Sequence, residues 1–412
     1  MDKTNEDFET VCKFVIKLGT LAHRYGTQAR RLESYLTRVT RSFGYSGFFR
    51  STPTNISFTF TQPDELWHKI HHIYMPGTGF DLFKLSKVGE LVADLESGKI
   101  TLTEANDNLD EIDNITLSPP YPYGKILIAI GYILSGAGFA GFLNCGLVNI
   151  ILSAILSLIV YLIILYSNKF SERFEYWTPF LCTFIASVIA SLISIILPET
   201  KVYLVTLSAV IYLIPGFTIS CGIIELSYKY VQSGIINIVN GLVYLSLLFA
   251  GAWTGATIIK SLFSVNNTQY TTISLNFIWL FAMIMAVGLC IVFQTPKRDF
   301  LWAILGSGIA CLGIVLGEAI SGVNAGNFLG AVLAVVFSNI WSAKTNRAAS
   351  LVLLPSIVFL VSGSIGFRGF VALSSNNTTI GEQEFIHMFV VAVSISVGLL
   401  VGNTIYKPKI TL

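Results

Sequence analysis

The sequence is poor in charge. Only 12% of its 412 residues are Asp, Glu, Lys or Arg, about half the ~25% usual for a soluble globular chain. With hydrophobic residues at 53%, most of the chain cannot form an ordinary soluble core and belongs in lipid. A net charge of +2 leaves no basic excess for a nucleic-acid partner. The six cysteines, Cys12, Cys145, Cys182, Cys221, Cys290 and Cys311, stand far apart with no CxxC pair. That spacing excludes a zinc site and a disulfide framework, so they read as small apolar packing residues. The first ten residues, Met1 to Thr10, are polar and acidic, unlike a cleavable signal peptide, and the amino terminus is expected in the cytosol.

The charge that is present is unevenly placed. Residues 1–122 hold 16 of the 24 Asp and Glu and 13 of the 26 Lys and Arg, leaving 8 acids and 13 bases for the other 290 residues. A small cytoplasmic α+β domain is therefore expected over 1–122. Val11, Phe14, Val15, Leu18, Leu21 and Ala22 recur at helical spacing, and Gly26 interrupts them. A second helix carries Leu32, Tyr35, Leu36, Val39 and Phe43, with Gly44 suited to its C-cap. The alternation Ile56, Phe58, Phe60 reads as a strand. Further helices are expected over 64–74, 81–95 and 103–112. On the first of these His68, His71 and His72 would share a face, close enough for two to hold a metal, but no Cys or HExxH context accompanies them. Met75-Pro76-Gly77-Thr78-Gly79 lacks the ending of a phosphate loop and reads as a turn. Arg30, Arg31 and Glu33 suit a surface ion pair or a domain contact. Ser118-Pro119-Pro120-Tyr121-Pro122 is a stiff linker and marks the domain boundary.

Beyond it about ten transmembrane helices are expected, near 125–143, 146–166, 178–197, 202–222, 235–259, 272–293, 300–318, 325–342, 349–367 and 383–405. With the amino terminus inside, ten loop Lys and Arg fall on the cytoplasmic side and only Lys201, Lys260 and Arg368 outside. This asymmetry gives a multi-pass protein of the cytoplasmic membrane with both termini cytoplasmic.

An ungapped shift of 147 residues lays Lys201–Lys260 over Ala348–Lys407. Five glycines come into register: Gly216 with Gly363, Gly222 with Gly369, Gly234 with Gly381, Gly251 with Gly398 and Gly255 with Gly402. Leu and Val matches could arise from composition, whereas five glycines at one offset indicate a duplication. Two five-helix halves follow, 123–260 and 261–412, and an odd helix number inverts the second copy relative to the first. The matched interruptions Ile214-Pro215-Gly216-Phe217 and Val361-Ser362-Gly363-Ser364 then mark the place where a solute would be handled, or else simple kinks. Thr218, Ser362 and Ser364 could hydrogen-bond that solute or satisfy freed backbone groups.

Two blocks of residues resemble the threonine/serine exporter family in its fused form. The first is Tyr25-Gly26-Thr27-Gln28-Ala29-Arg30-Arg31-Leu32-Glu33, followed by Gly44, Leu91-Val92, Glu104-Ala105 and Leu109 to Ile112. The second is Pro215-Gly216, Glu225-Leu226 and Ser233-Gly234, with Gly363-Ser364, Gly366 and Arg368 as its second-half counterpart. Ser362 stands where the second-half proline is expected, and Asn237 where the first half often has arginine. The resemblance implies export of threonine, serine or a related solute, as antiport against a cation, taken as the proton. The matched interruptions and the polar side chains beside them make Pro215, Gly216, Thr218, Ser362, Gly363, Ser364 and Arg368 the candidate substrate contacts.

Glu225 and Glu318 are carboxylates in or beside apolar spans, which cost about 2.5–3.5 kcal/mol unless something compensates. Either could carry the coupling proton. Alternatively Glu225 is a water-exposed loop acid and Glu318 caps the turn through Ser321-Gly322-Val323-Asn324. Arg368 could hold a substrate carboxylate or anchor at the outer interface. No cofactor or catalytic residue is indicated, and the expected partners are a small solute and the bilayer, with homo-oligomerisation left open. Two other readings compete: an exporter of small dicarboxylates, and a membrane-tethered hydrolase or sensor whose soluble domain is the active part.

Overall fold

The computed structural model of the chain describes residues 7–62, 67–75, 79–115, 121–170, 172–263, 277–360, 363–375 and 377–408. Its amino-terminal part contains α1 (Phe8–Arg24), α2 (Ala29–Ser42), β1 (Ser46–Thr52), β2 (Asn55–Thr61), β3 (His68–Tyr74), α3 (Leu82–Glu96) and α4 (Leu102–Asn114). The strands form an antiparallel meander in the order β1-β2-β3. Ile56, Phe58 and Phe60 of β2 all point into the core, as period-two alternation requires. A Cβ on Gly19 would lie 2.6 Å from the Phe58 ring, so this glycine lets α1 settle on the sheet. Helix starts are fixed by side chains that satisfy orphan amides: Asp7 for α1, Asp81 for α3, and a reciprocal Thr101/Glu104 capping box for α4.

The helix expected over 64–74 is not there. Residues 68–74 are an edge strand, and residues 63–66 lie outside the described residues. Ile70, Ile73 and Tyr74 favour strands, and pairing with β2 satisfies one backbone edge. His68 and His72 consequently lie on one face and His71 on the other, so the three do not converge. His68 Nδ1 is 2.8 Å from Thr61 Oγ1, and His72 Nδ1 is 2.8 Å from Ser57 Oγ, each across the ladder.

The rest is helical: α5 (Lys125–Phe142), α6 (Leu147–Phe170), α7 (Glu172–Ile196), α8 (Val202–Ala209), α9 (Gly216–Ser227), α10 (Val231–Leu262), α11 (Ile278–Val292), α12 (Phe300–Ser321), α13 (Val323–Thr345), α14 (Ser350–Ile357), α15 (Gly363–Ser374) and α16 (Thr378–Ile405). Among the described residues eight helices are long and apolar enough to cross a membrane, nine with the bent pair 202–227 counted once, and α11 is a shorter apolar helix. The protein is a multi-pass membrane protein. Its outward-facing Ile151 and Ile155 on α6, Leu305 and Leu312 on α12, and Val393 and Val397 on α16 are exposed, as lipid contact requires.

The duplication is visible in the elements themselves. In the first half α8, a 3-10 turn at Ile211–Leu213 and α9 follow one another, and in the second α14, a 3-10 turn at Val358–Leu360 and α15. The limits of the two turns and of α9 and α15 coincide at the offset of 147. Matched glycines do matched work. A Cβ on Gly234 would meet the Gly222 carbonyl at 2.7 Å, and one on Gly381 the Gly369 carbonyl at 3.2 Å. A Cβ on Gly251 would lie 2.3 Å from the Phe180 carbonyl oxygen of α7, and one on Gly398 2.6 Å from that of Phe328 on α13. Between the halves α5 packs on α11, where Cβ atoms on Gly138 and Gly288 would fall 2.5 Å from the Met285 and Ser135 amides. Such contacts are backbone against backbone, the packing mode available to helices without a hydrophobic drive between them.

Gly251→Val and Gly398→Val should therefore each cost about 1–3 kcal/mol through overpacking and lower the melting temperature of the purified protein. A melting curve unchanged from wild type would contradict the close approach.

Candidate functional site

Pro215 supplies no amide hydrogen and ends the 3-10 turn, and α9 restarts at Gly216 with no side chain capping it. The pair 202–209 and 211–227 is bent by 67°. The first-turn amides of Gly216, Phe217 and Thr218 consequently have no carbonyl of their own helix to donate to. Gly363, the repeat-matched glycine, is the first described residue of α15 and lies against this break. A Cβ on Gly363 would stand 3.1 Å from the Gly216 nitrogen and 2.5 Å from Ile214 Cγ2. Ser362 lies outside the described residues.

Beside the first break is a cavity of about 290 Å³, near the lower end of small-ligand pockets at about 300 Å³. Its polar side chains are Tyr212 of the 3-10 turn, Thr218, and Asn240 and Tyr244 of α10. The remaining wall is apolar and includes Pro215, Leu289 of α11 and Val358 of the second-half turn, with no charged side chain among the lining residues. Gly241 brings α10 close, since its Cβ would lie 3.7 Å from the Pro215 carbonyl. Asn240 and Tyr244 were not singled out from sequence, because in a long apolar helix a polar residue shows its direction only once the partner helices are known.

One wall comes from the soluble part. Phe80 enters between Phe217 and Phe293, with ring centroids 5.7 and 5.8 Å away and the rings steeply crossed. Gly26, at φ +97°, allows this, because its Cβ would lie 2.6 Å from the Phe80 ring. Leu82 N–H donates to the Phe293 carbonyl at 3.0 Å and fixes the entry of α3. The segment read as a plain turn from Met75 thus delivers Phe80 to the cavity; its residues 76–78 lie outside the described residues.

Phe80, Phe217 and Thr218 also line a second space of about 150 Å³, which leads along α9 to Glu225. Glu225 is 4% exposed, so the loop-acid reading is corrected: it lies on α9 under the soluble domain. Its carboxylate accepts from Asn237 Nδ2 at 2.8 Å and faces the Ala29 amide at the start of α2. Asn237, where arginine was expected, thus leaves Glu225 held by neutral donors.

Other docking contacts surround it. The Arg30 guanidinium lies 3.6 Å from the centroid of the Tyr228 ring, Gln28 Nε2 donates to Cys221 Sγ at 3.2 Å, and Tyr230 donates to Glu33. Arg30 and Glu33 therefore make a domain contact, not a surface ion pair with each other. His23 Nε2 is 2.8 Å from the Thr52 carbonyl, and burial lowers the imidazole's proton affinity.

Two predicted site residues lie elsewhere. Arg368 on α15 is half-exposed, its guanidinium 3.6 Å from Glu384 of α16. Glu318 is exposed beside Gly326 at the turn between α12 and α13, and its carbonyl, not its carboxylate, caps Gly322. Neither lines the two cavities at the first break.

An interrupted helix beside a small, largely apolar cavity, inside a bundle of membrane-length helices, is an arrangement that transporters use. The model of the threonine/serine exporter family matches residues 13–259, and a second threonine/serine exporter model matches residues 278–405. The chain belongs to the threonine/serine exporter family. No curated protein and no solved structure matches it.

Burial pushes the Glu33 carboxyl from the usual 4.5 up to about 7. The folded protein then holds this proton more tightly than the unfolded chain. Stability from this group is complete below 4.5 and is lost as pH rises through 7. Relative to wild type, Glu33→Gln should gain melting temperature progressively across that window. A pH-independent difference between the two proteins would refute the assignment.

Proposed function

We propose that the chain exports threonine, serine or a related small hydroxy amino acid across the cytoplasmic membrane, driven by a proton gradient, with both termini cytoplasmic and the second half inverted relative to the first. The observation that carries the reading is the contact between the break at Pro215-Gly216 and Gly363 of α15, beside a cavity with no charged side chain in its lining. A zwitterion has no net charge to neutralise, so backbone suffices: its carboxylate suits the first-turn amides of α9, whose helix end is partially positive. Its ammonium suits the carbonyls of the turn before Pro215. Thr218, Asn240 and Tyr244 are the hydrogen-bonding groups for the substrate hydroxyl. Gly216 and Gly363 keep the approach open, and Ser362 and Ser364 are the second-half counterparts.

Arg368 is occupied by Glu384, which favours an anchoring role over substrate binding. A dicarboxylate would need a cation that the cavity wall lacks. Glu225, buried with neutral donors, is the better coupling candidate than exposed Glu318. The soluble domain acts as the inner closure, with Phe80 as its plug, rather than as a hydrolase or sensor.

Proteoliposomes loaded with threonine test this. Gly216→Val and Gly363→Val should abolish efflux, and Asn240→Leu should raise the half-saturating concentration about tenfold or more. Glu225→Gln should remove acceleration by an imposed pH gradient while threonine–threonine exchange persists. Wild-type liposomes that move neither threonine nor serine would overturn the reading.

A further inference from the structure

A separate cavity of about 400 Å³ lies between α2, α9 and the end of α16, and it shares no lining residue with the cavity at the first break. Three cations line it: Arg30 and Arg31 in the first turn of α2, and Lys407 just beyond α16. Among the described residues none of the three is in an ion pair with a carboxylate. Glu225 also lines the cavity, but its carboxylate is engaged by Asn237 and faces the Ala29 amide.

Two adjacent guanidiniums at a helix start oppose the helix dipole. α2 has no acidic residue in its first turn and no side-chain cap at Gln28. Arg31 is half-buried; burial and the neighbouring Arg30 charge both lower its proton affinity. Placing like charges together in a half-buried site is costly unless an anion balances them. Ser34, Asn403 and Thr404 add polar groups to the same wall.

Leu353 and Ile357 of α14 and Leu399 of α16 supply the apolar part of the lining. Guanidinium forks match phosphate oxygens, and a lysine adds a point charge. We propose that the cleft lined by Arg30, Arg31 and Lys407 between the soluble domain and the ends of the membrane helices binds a phosphate-bearing anion. Its occupancy would tie α2 to α9 and α16, beside the docking contacts at Tyr228 and Glu225. The phosphate comes either from a lipid headgroup, whose chains would follow the apolar part of the lining, or from a free phosphate in solution.

The test uses the full-length protein. In neutral detergent its melting temperature is followed against inorganic phosphate, with sodium chloride at matched ionic strength as control. In a parallel arm it is followed in phosphatidylcholine nanodiscs with and without phosphatidylglycerol. A rise with at least one phosphate source is expected, and the responding arm identifies whether the source is free phosphate or lipid. Arg31→Gln should weaken that response, raising the half-saturating amount about tenfold, while Arg31→Lys keeps part of it and Lys260→Gln all of it. Lys407→Gln, close to the chain end, serves if Arg31→Gln does not fold. The proposal is overturned if neither source raises the melting temperature beyond the chloride control, or if the cavity variants respond as wild type does.

Discussion

A helix broken in a membrane leaves backbone amides and carbonyls that lipid cannot satisfy. The protein confronts this cost at Pro215-Gly216, and the break is placed in the interior, against Gly363 at the start of α15. Much of the surrounding architecture follows from that constraint. The long helices α10 and α16 wrap α9 and α15 through the reciprocal glycine pairs, and α5 and α11 close on each other through Gly138 and Gly288. A hydrogen bond from the Ser396 hydroxyl of α16 to the Ser220 carbonyl of α9 crosses between the halves just past the first break. Backbone freed from helix geometry, kept from lipid and provided with a small cavity, is the physical basis on which the proposed solute binding rests.

The soluble domain completes this arrangement from one end. Its α2 begins on Glu225, stacks Arg30 on Tyr228 and reaches Tyr230 through Glu33. Its α3 holds the loop between α11 and α12, where Arg298 donates to Ser86 at 3.1 Å and pairs with Glu90. Because α9 precedes and α11 follows residue 260, the amino-terminal part touches both halves of the membrane bundle. A relative movement of the halves would have to shift α2, α3 or Phe80, which supports a role for the domain in access to the cavity.

Much of the membrane architecture was legible in the sequence, because lipid demands continuous apolar runs and because glycine at a helix crossing has no substitute. The offset of 147, found from glycines, reappears as coincident helix limits and as matched carbonyl contacts. The soluble part was less legible. β1 was missed because Ser46 to Thr52 carries only one strongly buried aromatic, Phe49, and β3 because a solvent-facing edge strand needs no apolar alternation. At the site, Pro215, Gly216, Thr218 and Gly363 could be found by their matched interruptions. Asn240, Tyr244 and Phe80 could not, since their relevance depends on tertiary approach. Glu225 was visible as an unusual acid, but its burial depends on a domain more than a hundred residues away in sequence.

The central claim is that the break at Pro215 and the second-half 3-10 turn line one solute cavity, and Val358 on that turn gives the most direct measurement of it. In a Cys221→Ser background, Val358→Cys is nearly isosteric and adds a single thiol to the cavity wall. A small membrane-permeant thiol reagent should label it, and saturating threonine should slow that labelling about tenfold or more, in proportion to site occupancy. Labelling that proceeds at the same rate with and without threonine, in protein that still transports it, would contradict the account.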